Sequence, residues 1–250
     1  MDIIHRLNNE LLKQPFSEEQ RQVEQLNECR QIASVYARIE NAVAVLSDMK
    51  ANKSYIYYGK VAEKLGLVSH DEMQTIPSIW EKDIFCRIHP DDLTDKHAEE
   101  LRFYHFVKGV PKDKRTDYYL SSSIRMRDIT GKYIPILHRM FYLTYDTNGC
   151  VRLVLCLYSL TTTASLERLI VNSANGQMLE LQMQNCSNLL TDREKIILQL
   201  IDQGKMSKDI AQLLSISINT VSRHRQNILE KLQVNNSIEA CKVARKLNLL

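Results

Sequence analysis

Four polar residues near the C-terminal end of the chain, Asn219, Ser222, Arg223 and Gln226, are spaced so that a helix would gather them on one face. At about 100° per residue, Val221, Ile228, Leu229 and Leu232 project to the other side. The chemistry open to such a face is hydrogen bonding to base edges. An Arg guanidinium can donate two bonds to guanine O6 and N7, Asn and Gln amides can pair in the same way with adenine, and a Ser hydroxyl suits either kind of edge. This is recognition, and it requires no catalysis.

The surrounding sequence carries the elements that would hold this face outward. Thr191-Asp192-Arg193-Glu194 fits a capping box that opens a helix, with Ile197, Leu198 and Ile201 on one side and Gly204 just past its end. Ser207 is expected to cap a second helix, with Asp209 in its first turn and Ile210, Leu213 and Leu214 at helical spacing. Ser215 to Ser217 form a tight turn, and Ser217 caps a third helix that runs to about Leu232. Asn235 and Asn236 end it, and Ser237 is expected to cap a fourth, whose apolar stripe is Ala240, Val243, Ala244 and Leu247. Charge agrees with this layout. From residue 188 onward ten Lys and Arg stand against six Asp and Glu, whereas the rest of the chain has 23 against 24. The cationic excess lies where a phosphate backbone would be met.

In order along the chain, Leu190-Thr191-x-Arg193-Glu194, Gly204-Lys205-x-Ser207-Lys208-Asp209-Ile210-Ala211, Ser217-x-x-Thr220-Val221-x-x-His224 and Asn227-Ile228-x-x-Lys231-Leu232 resemble the LuxR-type (GerE-like) helix-turn-helix family of bacterial transcription regulators. The resemblance covers about a quarter of the chain. It implies base contacts by Ser222, Arg223 and Gln226 and phosphate contacts by Lys208, Thr220 and His224. Met206 stands where the family more often has a small polar residue, and Ser222 where it often has Lys, so the base preference should differ from the family's. The implied partner is double-stranded DNA, with RNA polymerase as a further one. A single reading helix buries modest surface, so a homodimer on two half-sites is expected, with Ala240, Val243, Ala244 and Leu247 as the contact between readers, as packing within their own domain, or as both.

A length of 250 residues with 44% hydrophobic content suits two domains. Met1-Asp2-Ile3-Ile4-His5-Arg6 lacks an apolar signal core, and no run approaches the roughly 18 apolar residues that span a bilayer, so a soluble cytoplasmic protein is expected. Cys29, Cys86, Cys150, Cys156, Cys186 and Cys241 form no Cys-x-x-Cys pair and read as reduced thiols, Cys150 and Cys156 as core packing around one apolar strand.

The expected fold class is α+β, with an N-terminal five-stranded antiparallel sheet and flanking helices, followed by the all-α four-helix domain. The expected divisions are 1–40, an N-terminal helical segment; 41–162, the sheet domain; 163–187, a linker; and 188–250, the helix-turn-helix. Glu18 to about Ala44 has no Gly or Pro and predicts a long helix, serving equally for dimerisation or for covering the sheet. Ala42–Met49 and Ser54–Tyr58 predict a hairpin, and Lys60–Leu67 a short helix stopped by Gly66. His89-Pro90-Asp91-Asp92 opens a helix to about Val107. Tyr118–Arg127, Tyr133–Tyr145 and Val151–Leu160 predict a three-stranded meander, with Pro135 placed at an edge or bulge. A helical turn is expected at Ser165–Val171 and a hinge at Asn172–Gly176.

That element order, the His89-Pro90-Asp91-Asp92 block and the Asp128-Ile129-Thr130-Gly131 turn resemble a PAS domain, which implies a sensor or dimerisation module holding a small-molecule or protein signal. Cys86-Arg87-Ile88-His89 does not match the flavin-binding motif of PAS photoreceptors. His97 and His105 fall where haem-binding members carry an axial ligand, and Cys86, His89, Asp91 and Asp92 have a spacing open to a metal. Both read better as ordinary structural residues, and no cofactor is expected. Neither the clustered acids of a two-component receiver nor the several Trp of an acyl-homoserine-lactone sensor is present; Trp80 stands alone.

Overall fold

The computed structural model describes residues 3–17, 22–67, 73–161, 168–180, 190–232, 234, 236–246 and 249–250. The chain divides into two compact units, Glu10–Leu181, and Gln182–Leu250 together with Met1–Asn9.

In chain order the elements are α1 (Ile3–Leu12), α2 (Gln22–Ile39), β1 (Val43–Asp48), β2 (Lys53–Tyr58), α3 (Val61–Lys64), β3 (Met73–Ile76), α4 (Lys82–Phe85) and α5 (Pro90–Lys108). A 3₁₀ turn (Lys112–Asp117) leads into β4 (Tyr118–Arg127), β5 (Tyr133–Tyr145), β6 (Val151–Leu160), β7 (Arg168–Asn172) and β8 (Met178–Glu180). All eight strands form one antiparallel sheet in the order β3-β2-β1-β6-β5-β4-β7-β8. The five strands expected from the sequence occupy its middle, so the five-stranded expectation is corrected to eight. β7 and β8 lie in the stretch read as a linker. The expected helical turn at Ser165–Val171 is strand from Arg168 onward, and the part before Arg168 lies outside the described residues. β7 pairs with β4, from Tyr118↔Asn172 to Ser122↔Arg168. It is also tied to α5, where Arg168 reaches Asp95 at 2.7 Å and Glu99 at 2.8 Å.

β1 is buried on both faces, because the sheet is covered on both sides. Ala44 and Leu46 join Leu153, Leu155, Leu157 and the α2 residues Cys29, Ala33 and Ala37. Val43 and Val45 face the other way, into a cluster with Ile56, Val61, Leu65, Ile84, Ile124, Met126, Ile136 and Tyr158. Pro135 is at neither an edge strand nor a bulge. β5 is central, but its ladder with β6 begins at Ile136↔Leu160, so no β6 partner stands opposite the missing proline N–H. Gly59 is fixed by a close approach: a Cβ there would stand 2.3 Å from the Ala37 carbonyl oxygen and 2.5 Å from that of Ala42. The described cysteines Cys29, Cys86, Cys150, Cys156 and Cys241 are free thiols.

The second unit contains α6 (Asp192–Asp202), α7 (Ser207–Leu213), α8 (Ile218–Leu232) and α9 (Ser237–Lys246). Leu190, Ile197, Leu198, Ile210, Val221, Ile228, Leu232, Ala240 and Ala244 are buried in it. Leu213, expected on the apolar side of α7, is 60% exposed.

Candidate nucleic-acid interface

The scaffold of the interface begins at the start of α6. Thr191 Oγ1 accepts from the Glu194 amide at 3.3 Å, and the Glu194 carboxylate accepts from the Thr191 amide at 2.7 Å, the capping box expected from the sequence. The same Glu194 oxygen accepts from Lys231 on α8 at 2.6 Å, so one buried carboxylate caps α6 and holds α8 to it. Burial alone would push this carboxyl up, but the Lys231 and Thr191 hydrogen bonds outweigh it and hold it below the ordinary glutamate range. Gly204, at φ 80°, takes the left-handed turn that stops α6. Arg193 donates to the Leu214 carbonyl at 3.0 Å, closing the end of α7.

Two expected caps are different residues in the structure. Met206 precedes the first turn of α7 and its amide donates to Asp209 at 3.2 Å, while Ser207 is already helical. Asn236 caps α9, its side chain accepting from the Glu239 amide at 2.9 Å, and Ser237 is the first helical residue. The hydroxyls of Ser207 and Ser237 serve another purpose: both accept from Arg225 on α8, at 2.9 and 2.8 Å. Arg225 thus ties α8 to the starts of α7 and α9. In the sequence Arg225 is one of ten basic residues of this segment, and no local motif marks this role. The signal was present in the periodicity, because Arg225 falls about 40° from Val221 at 100° per residue, on the packed side of α8.

Ser217 caps α8 as expected, accepting from the Thr220 amide at 3.0 Å and sharing a hydrogen bond with the Thr220 hydroxyl at 2.9 Å. Val221 and Ile228 are buried, which sets the rotation of the helix. Asn219, Ser222, Arg223 and Gln226 are exposed on its outer side, and Lys208 is exposed in the first turn of α7. Thr220 is half-buried, as is His224, whose Nδ1 is shielded without a partner among the described residues. The six residues assigned to base or phosphate contact therefore lie on α8 and the start of α7, the three base-contact residues all exposed.

The basic excess is smaller in practice than in the count. Arg193, Arg225, Lys231 and Arg245 are engaged inside the unit, Arg245 with Asp202 at 2.7 Å. Lys205, Lys208, Arg223 and Lys242 are exposed and have no ion-pair partner among the described residues. Two residues of the expected dimer stripe are corrected to core positions. Ala240 and Ala244 are fully buried where α9 packs on α6 and α8, Val243 is half-buried, and Leu247 lies outside the described residues. The two alanines belong to the unit's own core.

The sheet unit contains a polar cluster at a small cavity of about 40 Å³, bordered by Trp80, Glu81, Phe85, Lys96, Glu100, Met140, Tyr142 and Cys156. Glu81 accepts from Ser54 at 3.0 Å and Ser47 at 3.4 Å, while Lys96 is ion-paired with Glu100 and sits 4.8 Å from the Phe85 ring centre. Burial raises the Glu81 carboxyl to about 7, against the opposing pull of Lys96 and Ser54. Burial by itself would strip the Lys96 proton, but Glu100 holds it in place. His97 is packed among rings, 5.7 Å from Trp80 and 5.6 Å from Phe85, while His105 is half-buried beside Tyr104. The Cys86, His89, Asp91, Asp92 set is not brought together. Cys86 is exposed and donates to the Asp83 carbonyl, His89 caps α5, and Asp92 is held by Arg125 at 2.6 and 2.9 Å.

No helix among the described residues is long and apolar enough to cross a membrane. The family described as "Bacterial regulatory proteins, luxR family" matches residues 188–244. The response regulatory protein YgeK of Escherichia coli K12, itself uncharacterized, is 36% identical over 104 residues, covering 38% of this chain and 71% of YgeK. The transcriptional regulatory protein DesR of Bacillus subtilis is 56% identical over 54 residues, but these span 22% of this chain and 27% of DesR. Among solved structures, a phage VqmA–DPO complex aligns with 91% of each chain at 15% identity and a TM-score of 0.33. The chain belongs, through residues 188–244, to the luxR family of bacterial regulatory proteins.

Proposed function

We propose that this protein is a sequence-specific, DNA-binding transcription regulator in which α8 reads the major groove. The observation that carries this reading is the outer face of α8, where Asn219, Ser222, Arg223 and Gln226 are exposed while Val221 and Ile228 lock the helix's rotation. Ser222, Arg223 and Gln226 take the base contacts, and Lys208, Thr220 and His224 the phosphates. Binding is as a homodimer on paired half-sites; with Ala240 and Ala244 buried in the unit's own core, Val243 is the described residue of the α9 stripe left for the contact between readers. RNA polymerase is the proposed further partner, and the protein acts in the cytoplasm without catalysis.

The Glu10–Leu181 unit is proposed to be a PAS-like controller. Its support is the element order of hairpin, short helices, long helix and meander, retained at the middle of the larger sheet. The controlling signal is a small molecule or a protein.

The test is selection of bound DNA from a random pool with the full-length protein, followed by salt-dependent binding of two variants. Arg223→Ala should cost roughly 1–3 kcal/mol on the selected site and relax base choice at one position. Lys208→Ala should weaken all sequences alike and lower the salt slope by about 1. Equal losses on selected and random DNA for both variants would overturn the assignment of roles.

A further inference from the structure

We propose that Glu100, His138 and Cys156 form a buried site for a zinc-class divalent ion inside the sheet unit. One donor atom from each of the three lies within 4.8 Å of the other two. Nitrogen, oxygen and sulfur donors at about 2.0–2.3 Å from a tetrahedral ion stand roughly 3.3–3.8 Å apart, so closing the site needs a contraction of about 1 Å at its widest.

The fold brings these donors together from three distant places. On β5 and β6, His138 is opposite Tyr158 and Met140 is opposite Cys156, so His138 and Cys156 are diagonal neighbours on one face of the sheet. Glu100 comes from α5. His138 is the independent indication of a ligand: it is fully buried, and both ring nitrogens lack any partner among the described residues. A buried imidazole normally satisfies at least one nitrogen. Burial and the nearby Lys96 keep this ring neutral, the form that ligates metal.

The charges also balance. Binding forms a metal–sulfur bond and releases the Cys156 thiol proton to solvent; the thiolate and the Glu100 carboxylate then neutralise a divalent ion. Lys96 stays on Glu100 as an outer partner, and the Glu81 carboxyl borders the same cavity. The cavity borders both Glu100 and Cys156 and has room for one water as the fourth ligand. One sulfur, one nitrogen and one carboxylate oxygen suit zinc better than calcium or magnesium, which take oxygen shells.

Cobalt(II) is the probe. Full-length protein stripped with a chelator and titrated with Co²⁺ should develop a thiolate-to-cobalt band in the near ultraviolet and intense visible bands of tetrahedral cobalt. These should saturate at a single equivalent and disappear when Zn²⁺ is added. Cys156→Ser should abolish the ultraviolet band, His138→Gln should weaken binding at least about tenfold, and Cys86→Ser should leave the spectrum unchanged. Circular dichroism of the stripped variants checks their folding. Should a variant not fold, X-ray absorption of the zinc-loaded natural protein decides: a shell of one sulfur with nitrogen and oxygen supports the site. Absence of the ultraviolet band in the natural protein, its persistence in folded Cys156→Ser, or a zinc shell with no sulfur or more than one would overturn the proposal.

Discussion

Arg225 and Arg223 lie two residues apart on the same helix, yet they are expected to fail in opposite ways when removed. The Arg225 guanidinium donates to Ser207 at 2.9 Å and to Ser237 at 2.8 Å. Charge-assisted hydrogen bonds contribute about 1.5–3 kcal/mol each when well shielded. Arg225 is only half-buried, so about 1 kcal/mol per bond is the better figure, or about 2 kcal/mol for Arg225→Ala. At 1.4 kcal/mol per tenfold, local opening of the helical unit should become about 30-fold more frequent. Amide hydrogen exchange of the full-length protein, read by mass spectrometry on peptides from residues 191–245, measures that opening directly. DNA affinity should fall by much less than this, and by the same factor on every sequence with base choice unchanged, because affinity follows the fraction of closed helical unit and no reading group is lost. Arg225→Lys keeps the charge but cannot reach both hydroxyls with a planar fork, so it should not recover the exchange protection, and the salt slope should be unchanged in both variants. The reasoning fails if Arg225→Ala leaves exchange untouched and instead changes which base is preferred.

Glu194→Gln removes the ion pair to Lys231 and should cost about 1 kcal/mol of helical-unit stability at neutral pH. Because folding lowers the pKa of Glu194, the unfolded chain takes up the proton first; the stabilisation is full at neutral pH and is lost as pH falls below about 4.3, so the variant should show a flatter acid limb in urea titrations. Glu81 behaves in the reverse sense. Its carboxyl is raised from 4.5 to about 7, so the folded unit holds the extra proton and loses stability as pH rises across that window; Glu81→Gln should reduce this slope in thermal melts, with Glu99, also raised to about 7, maintaining the remainder. Gly59→Ala forces a Cβ against the backbone oxygens of Ala37 and Ala42 and should cost about 3 kcal/mol in the sheet unit, read from its urea midpoint.

Whatever is set within a few turns of chain was legible in the residues alone. Helical period fixed the outward face of α8, with Ser222, Arg223 and Gln226 exposed and Val221 and Ile228 buried, and the capping box at Thr191 and Glu194 marked where α6 begins. Five strands were legible for the same reason, because alternation and turn residues are local signals. Which surfaces meet depends on long-range packing. β7 has five residues and becomes a strand by pairing with β4, some fifty residues earlier in the chain. The stripe of Ala240 and Ala244 has the pattern of any apolar face, and only the packing of α6 and α8 against it shows that it is internal. Ser207 and Ser237 have the chemistry of caps, but Arg225 arrives from a third helix to take their hydroxyls. Glu100, His138 and Cys156 share no motif, because they sit on three elements that only the folded sheet and α5 bring within 4.8 Å. Periodicity records which side of an element is apolar; the identity of the partner across that side is a long-range fact that no local spacing encodes.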